Sequence, residues 1–380
     1  MSFLRWLADR FSAPAAEEAQ ALRQTRPAVF GRDSHAAVNE LSRLLTERQG
    51  ESLCANGAAD ISLALGNLFR AQGDIERAVT LREAVLADTE KTSEHRHLRG
   101  RTFFELGCDY RKAGFIDRAQ NAFREAGKLG FSSRDISMQL AKMYADSGDF
   151  AAAAAEYARL DMPFAEAAFL VRLASETAAS GKDDAALRFI RQALSVYPGS
   201  PEAWGALASM SLLAGDGKQT VAHIAGGLKK AAESGKLILL ENFHAFATGA
   251  AAPDIAPEAL EQTAHGVLKL LGGDDSIIMC YYTGLLLQLT GNLAEAEQCY
   301  AKTLVLDPDF WAARLALLGI YARREDLPPL LGQQVFFFTV QGARSKRFLC
   351  RPCGMRRETI FSECPRCRTW HSASFRMRLT

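Results

Sequence analysis

Leu65-Gly-Asn-Leu-Phe-Arg-Ala-Gln-Gly-Asp-Ile-Glu-Arg-Ala78 and Leu106-Gly-Cys-Asp-Tyr-Arg-Lys-Ala-Gly-Phe-Ile-Asp-Arg-Ala119 are two copies of one pattern. A small residue stands seven positions before a glycine, and another small residue stands five positions after it. The first small residue lets two antiparallel helices approach closely, and the glycine ends the first of them in the left-handed conformation. The pattern continues along the chain. Around Gly73, Gly114, Gly148, Gly181, Gly215 and Gly291 the earlier position holds Gly66, Gly107, Ala141, Ala174, Ala208 or Gly284. The later one holds Ala78, Ala119, Ala153, Ala186, Thr220 or Ala296.

From Gly114 to Gly215 the glycines recur at steps of 34, 33 and 34 residues, one helix-turn-helix unit each. Small residues in this register at this period are the tetratricopeptide signature, and they predict an all-α solenoid. The 41-residue step from Gly73 to Gly114 predicts longer helices or an insertion around Thr89 to His97. The 76-residue step from Gly215 to Gly291 hides one degenerate repeat, with helices near Lys236–Thr248 and Pro257–Leu271. Tyr110, Phe123, Tyr144, Tyr157, Trp204 and Tyr300 fall at packing positions between helices. Upstream, His35–Arg48 reads as a helix capped by Asp33 or Ser34, and downstream Phe310–Arg324 reads as the first helix of an incomplete repeat. Pro328-Pro329 then closes the array. Val335-Phe-Phe-Phe-Thr-Val340 reads as a β-prone run expected to pack between the array and the C-terminal segment.

The C-terminal segment is a different kind of sequence. Cys350-Arg-Pro-Cys353-Gly354 and Cys364-Pro-Arg-Cys367-Arg-Thr-Trp370 are two Cys-x-x-Cys knuckles, and together they form one metal site. Four thiolates in tetrahedral array suit Zn²⁺, or iron as in a rubredoxin-like centre, and they leave no open position for substrate. Gly354 permits the left-handed turn of the first knuckle, and Pro365 pre-sets φ in the second. So short a segment cannot bury enough apolar surface to fold alone, which makes the ion, one Zn or Fe per chain, a staple. His371 is a spare candidate ligand. The parts are thus an amphipathic segment 1–33, a solenoid 34–326, a linker 327–344 with the β-prone run, and a small rubredoxin-like or zinc ribbon 345–380.

Charge is unevenly spread. The chain holds 45 Lys+Arg and 44 Asp+Glu, yet residues 344–380 carry ten of the first and two of the second, a formal +8. Arg351, Arg356, Arg357, Arg366 and Arg368 are therefore candidates for an anionic partner, nucleic acid included, or for docking the ribbon on an acidic scaffold. In the repeat register Asn67, Arg70, Arg111 and Lys142 are predicted to project from successive first helices as a polar, basic strip for a protein partner. Cys54, Cys108, Cys280 and Cys299 lack metal-ligand spacing, and eight cysteines in this pattern suit a reducing compartment, the cytosol. No phosphate-cradling glycine loop, nucleophile elbow or His-Glu-x-x-His occurs, and the histidines are dispersed, so the reading is a scaffold and not an enzyme. No run of eighteen apolar residues predicts a transmembrane helix. Phe3, Leu4, Trp6, Leu7 and Phe11, interleaved with Arg5, Asp9 and Arg10, make Phe3–Phe11 a candidate for peripheral membrane contact.

With the two repeat copies joined to Cys350-x-x-Cys-Gly and Cys364-Pro-x-Cys-Arg-x-Trp370, the chain resembles the lipopolysaccharide assembly protein B family from about residue 34 to 371. The resemblance implies an adaptor on the cytosolic face of the inner membrane, with metal ligands at Cys350, Cys353, Cys364 and Cys367. It also implies that the adaptor restrains lipopolysaccharide synthesis by promoting turnover of the deacetylase that commits lipid A synthesis, through a membrane-bound ATP-dependent protease. That family begins with a transmembrane helix, where this sequence has only Phe3–Phe11. The residues alone leave two alternatives open, a nucleic-acid-binding ribbon and a redox centre using iron at the same sulfurs.

Overall fold

The computed structural model describes residues 34–47, 57–89, 95–249, 254–270, 276–322, 328–343, 345 and 347–378. The segment 1–33 with Phe3–Phe11, the Asp33 cap and Cys54 lie outside these residues. The chain divides into two compact units, 1–148 and 149–380.

The first unit holds α1 (Ser34–Thr46), α2 (Ala58–Gln72), α3 (Ile75–Thr89), α4 (Arg96–Lys112), α5 (Ile116–Lys128) and α6 (Ser133–Ser147). Pairs α2/α3 and α4/α5 are the helix hairpins that the glycines announce. Gly73 and Gly114 turn the chain at φ 89° and 83°, and the Asp74 amide closes the first turn on the Phe69 carbonyl at 2.9 Å. The small residues explain themselves by what faces them: a Cβ at Gly107 would lie 2.6 Å from the Phe123 ring. Ala78 and Ala119 are fully buried opposite. Leu41, Leu65, Phe69 and Ala78 make one apolar cluster, and Cys108, Ala119, Phe123 and Met143 another.

The second unit continues with α7 (Phe150–Arg159), α8 (Pro163–Ala179), α9 (Asp183–Val196), α10 (Pro201–Leu213), α11 (Gly217–Lys230) and α12 (Glu233–Thr248). It then runs through α13 (Pro257–Leu270), α14 (Ile277–Leu289), α15 (Leu293–Leu306), α16 (Trp311–Tyr321) and α17 (Pro329–Ala343). Asp149, Ser200 and Asp216 each accept the amide hydrogen bond of the residue three positions on, and Pro163 and Pro201 occupy first helical positions that need no donor. The degenerate repeat is α12/α13, as the spacing predicts. Its neighbour repeats the close-approach device, since a Cβ at Gly284 would lie 2.6 Å from the Tyr300 ring.

One expectation is overturned. Val335–Val340 is not extended; it lies inside α17. Nor is it covered, because Phe336, Phe337 and Phe338 are 68%, 53% and 57% exposed. β propensity measures fit to a pleated, half-buried surface, and no such surface meets these residues. Without strand partners, backbone hydrogen bonds are satisfied within a helix that packs on α16.

The ribbon is a three-stranded antiparallel sheet of β1 (Phe348–Cys350), β2 (Arg356–Arg357) and β3 (Ala373–Phe375), in the order β2-β1-β3. It does not stand apart from the helices. Phe348, Cys350, Phe361, Cys364, Ala373 and Phe375 share one buried core with residues of α12, α14 and α16.

Candidate metal centre

Each knuckle is a turn whose amide hydrogen bonds are settled locally. Gly354 donates to the Cys350 carbonyl at 2.8 Å, and Arg368 donates to the Cys364 carbonyl at the same distance. The two turns are equivalent, and so is their backbone: Gly354 sits at φ 67° and Arg368 at φ 59°. Only the first has the residue that tolerates this conformation freely. The β2 strand returns from the first knuckle, and an isolated bridge from Glu363 to Trp370 closes the second.

The four sulfurs converge. All lie within 4.8 Å of one another, with Cys350 Sγ to Cys367 Sγ at 3.5 Å and Cys353 Sγ to Cys364 Sγ at 3.7 Å. A tetrahedral shell with Zn–S near 2.3 Å has sulfur–sulfur edges of about 3.8 Å, so these residues fit a four-coordinate ion. Cys350 and Cys364 are buried, Cys353 is half-buried, and Cys367 is at the rim. Hydroxyls surround the sulfurs, with Thr369 Oγ1 3.3 Å from Cys367 and Ser372 Oγ 3.3 Å from Cys350. Hydrogen bonds from the Thr369 side chain and backbone pull the Cys367 thiol down. The helical cysteines are different chemistry: burial pushes Cys108 up to about 12 and Cys299 up to about 11, as inert core thiols.

The ribbon is seated on the first helices of successive pairs. Trp370 stands 6.1 Å from Phe164 and from Phe169 on α8, and 6.3 Å from Tyr157 on α7. His371 is not a ligand. Its Nε2 lies 3.0 Å from Glu202 Oε1 on α10, and its ring stacks on Tyr197 at 5.9 Å. Burial alone would raise the Glu202 carboxyl, but hydrogen bonds from His371 and Ser362 and the His371 charge outweigh it and hold it low. On α12, Glu241 accepts from Arg347 at 3.1 Å and from Tyr282 at 2.6 Å. Phe375 meets Tyr281 of α14 at 5.8 Å and Phe310 at 5.0 Å, and Trp311 Nε1 of α16 donates to the Arg376 carbonyl at 2.7 Å. Six helices, five of them the first of their pair and α7 a second, thus carry one ribbon. The aromatic and acidic residues on them give no local signal in sequence, because each is ordinary for a packing position.

The predicted basic residues divide. Arg351, Arg356, Arg357 and Arg366 are exposed on the ribbon, and Arg368 pairs with Glu363 at 3.4 Å. In the first unit, Asn67 and Arg70 belong to a buried ionic network that sequence reading did not find. Arg82, fully buried, bonds to Asp109 and to Asn67 Oδ1 at 2.7 Å. Arg70 reaches Glu105 at 2.8 Å and Asp109 at 3.1 Å. Gly66 makes room, since a Cβ there would meet the Arg82 guanidinium at 2.5 Å. Two guanidinium and two carboxylate groups balance, which is what makes so much buried charge tolerable. Arg111 pairs with Asp146 at 3.3 Å, and Lys142 on α6 is not without an interaction of its own.

Tetratricopeptide repeat models match residues 62–96, 104–168 and 167–210. Lipopolysaccharide assembly protein B of Escherichia coli is 23% identical over an alignment of 391 residues, covering 96% of this chain and 93% of that protein. Its counterpart in Haemophilus influenzae is 23% identical over 327 residues, covering 82% of this chain and 78% of that one. Among solved structures, a tetratricopeptide repeat protein from Parabacteroides merdae aligns at 14% identity and a TM-score of 0.38, covering 72% of this chain and 98% of that one. The chain is a tetratricopeptide-repeat scaffold with a terminal four-cysteine ribbon, and it resembles lipopolysaccharide assembly protein B along nearly all its length.

Proposed function

We propose that this chain is an adaptor of lipopolysaccharide synthesis, which presents the deacetylase committing lipid A synthesis to a membrane-bound ATP-dependent protease. The observation that carries the reading is the combination of parts: repeats that make a protein-binding scaffold, closed by a four-sulfur ribbon built into their first-helix face. Alignment with the relatives named for lipopolysaccharide assembly runs along 96% and 82% of this chain, which supports the reading. The ion, one Zn or Fe, holds the ribbon and takes no part in turnover.

The ribbon occupies the first helices of the second unit, so we place the partner contact on the first unit, around Arg111 and Lys142. Asn67 and Arg70 support that surface from inside through the Arg82 network. The arginines of the ribbon remain candidates for a second, anionic contact.

The reading is tested in the native organism by deleting the gene and following the half-life of the deacetylase after synthesis is stopped. The half-life should lengthen, and the wild-type chain should restore it. An unchanged half-life refutes the deacetylase reading. Affinity capture from native membranes separately identifies what the scaffold holds, and capture of neither protease nor deacetylase refutes the proposed bridge.

A further inference from the structure

The helix α17 carries no Asp, Glu, Lys or Arg in its fifteen residues. Its large apolar side chains are turned out: Leu330 is 76% exposed, Leu331 49%, and the three phenylalanines more than half. At 100° per residue, Leu330 and Phe337 fall on one line and Leu331 and Phe338 on another, so the four span an arc of about 120°. Phe336 lies about 100° outside it, beyond Gln333, and the polar groups on the arc, Gln334 and Gln341, are uncharged. The opposite side is held by α16, where Thr339 and Gly342 line a cavity with Leu315, Ala316 and Gly319. Singly exposed apolar residues are ordinary, but four on one arc of a short helix make a patch on the order of 400 Å², within the range where an exposed patch is often functional.

We infer that α17 is a membrane-surface helix, whose leucine and phenylalanine arc enters the interface of an anionic bilayer. Fifteen residues make a helix of about 22 Å, too short for a hydrocarbon core of about 30 Å, so it lies in the plane. No helix among the described residues is long and apolar enough to cross a membrane. Charge selects the occupant. Arg347 lines the same cavity as Thr339 and Gly342, which brings the start of the basic ribbon to the helix's C-terminal end. Residues 344–380, which follow the helix directly in the chain, carry ten Lys+Arg and two Asp+Glu, and with four thiolates around a divalent ion the segment is left at about +6, a charge that attracts acidic headgroups. A second copy is disfavoured, because facing patches would bring two such segments together. Single-stranded nucleic acid is disfavoured as well, because its stacking aromatics lie in a basic groove, and this arc has no basic side chain.

The test is flotation of the full chain with vesicles of phosphatidylcholine and phosphatidylglycerol at three to one, and with phosphatidylcholine alone. The protein should float with the anionic vesicles, several-fold less at 0.5 M salt, and poorly with the neutral ones. The triple variant Phe336→Ser, Phe337→Ser, Phe338→Ser should lose at least tenfold in vesicle binding with its circular dichroism and melting unchanged. In a second variant, Phe337→Trp, brominated acyl chains should quench the new indole's emission relative to the wild type. Equal flotation of the triple variant, or no added quenching, overturns the inference and gives any membrane contact to residues 1–33. A wild-type dimer that the triple variant converts to monomers, without vesicle binding, overturns it in favour of a second copy. Binding of labelled single-stranded RNA that the triple variant abolishes overturns it in favour of nucleic acid.

Discussion

Replacing Cys364 with serine removes one of two fully buried ligands, and the consequence should reach well beyond the ribbon. Phe348, Phe361 and Phe375 are at most 7% exposed, and they share their core with α12, α14 and α16. Burial of a phenylalanine is worth about 1.5–3 kcal/mol, so release of the ribbon strips about 5–9 kcal/mol of apolar cover from the second unit. Tyr281, Phe310 and Trp311 lose their partner Phe375, and Glu241 loses Arg347. Amide exchange read by mass spectrometry should therefore show α12, α14 and α16 losing about three orders of magnitude in protection, the low end of that range. Helices α2 to α5, in the other unit, should be unchanged. If only residues 345–378 lost protection, the ribbon would be a tethered flap and the reasoning would fail. The sequence alone suggests that outcome, since a repeat core lies between neighbouring helices; the shared core argues against it.

Three more outcomes rest on the same geometry. Asp109→Asn strands the buried Arg82 guanidinium and should destabilise the first unit by about 3–5 kcal/mol in denaturant unfolding; Arg70→Glu, which adds a third carboxylate to Glu105 and Asp109, should unfold it likewise, where a surface residue would cost within ~0.5 kcal/mol. The Glu202 carboxyl is held below its ordinary value of 4.5, so its contribution is full above that pH and is lost as pH falls through the lower folded value; Glu202→Gln should flatten stability against pH in that window, and an unchanged acid limb would discount the His371 contact. Arg368→Gly relieves a left-handed non-glycine backbone worth roughly 1–2 kcal/mol, partly offset by glycine's entropy, so it should slow metal release to a chelator, and faster release would contradict the equivalence of the two knuckles.

The repeats were legible because they rest on absences of side chain. Gly66, Gly107 and Gly284 face Arg82, Phe123 and Tyr300, and any larger residue would collide, so the constraint is written at the position itself. The turning glycines were legible for the same reason. The ligands were legible because metal geometry fixes both residue type and spacing. What failed depends on neighbours far along the chain. Val335–Val340 has strand composition and no strand to pair with. Arg70 reads as a surface charge until Glu105 and Asp109 arrive from another helix. Trp370 reads as the end of the second knuckle's motif and His371 as a spare ligand, while Phe164, Phe169 and Glu202, some two hundred residues earlier, make them anchors.

X-ray absorption on freshly purified, reduced protein tests the centre of the account most directly. It should show about one Zn or Fe per chain with four sulfur ligands, near 2.3 Å for zinc, and the zinc and iron forms should restore deacetylase turnover equally, since zinc cannot change oxidation state there. Nitrogen or oxygen in the shell, a folded ribbon with no metal, or activity that follows the reduction state of iron would contradict a closed structural site.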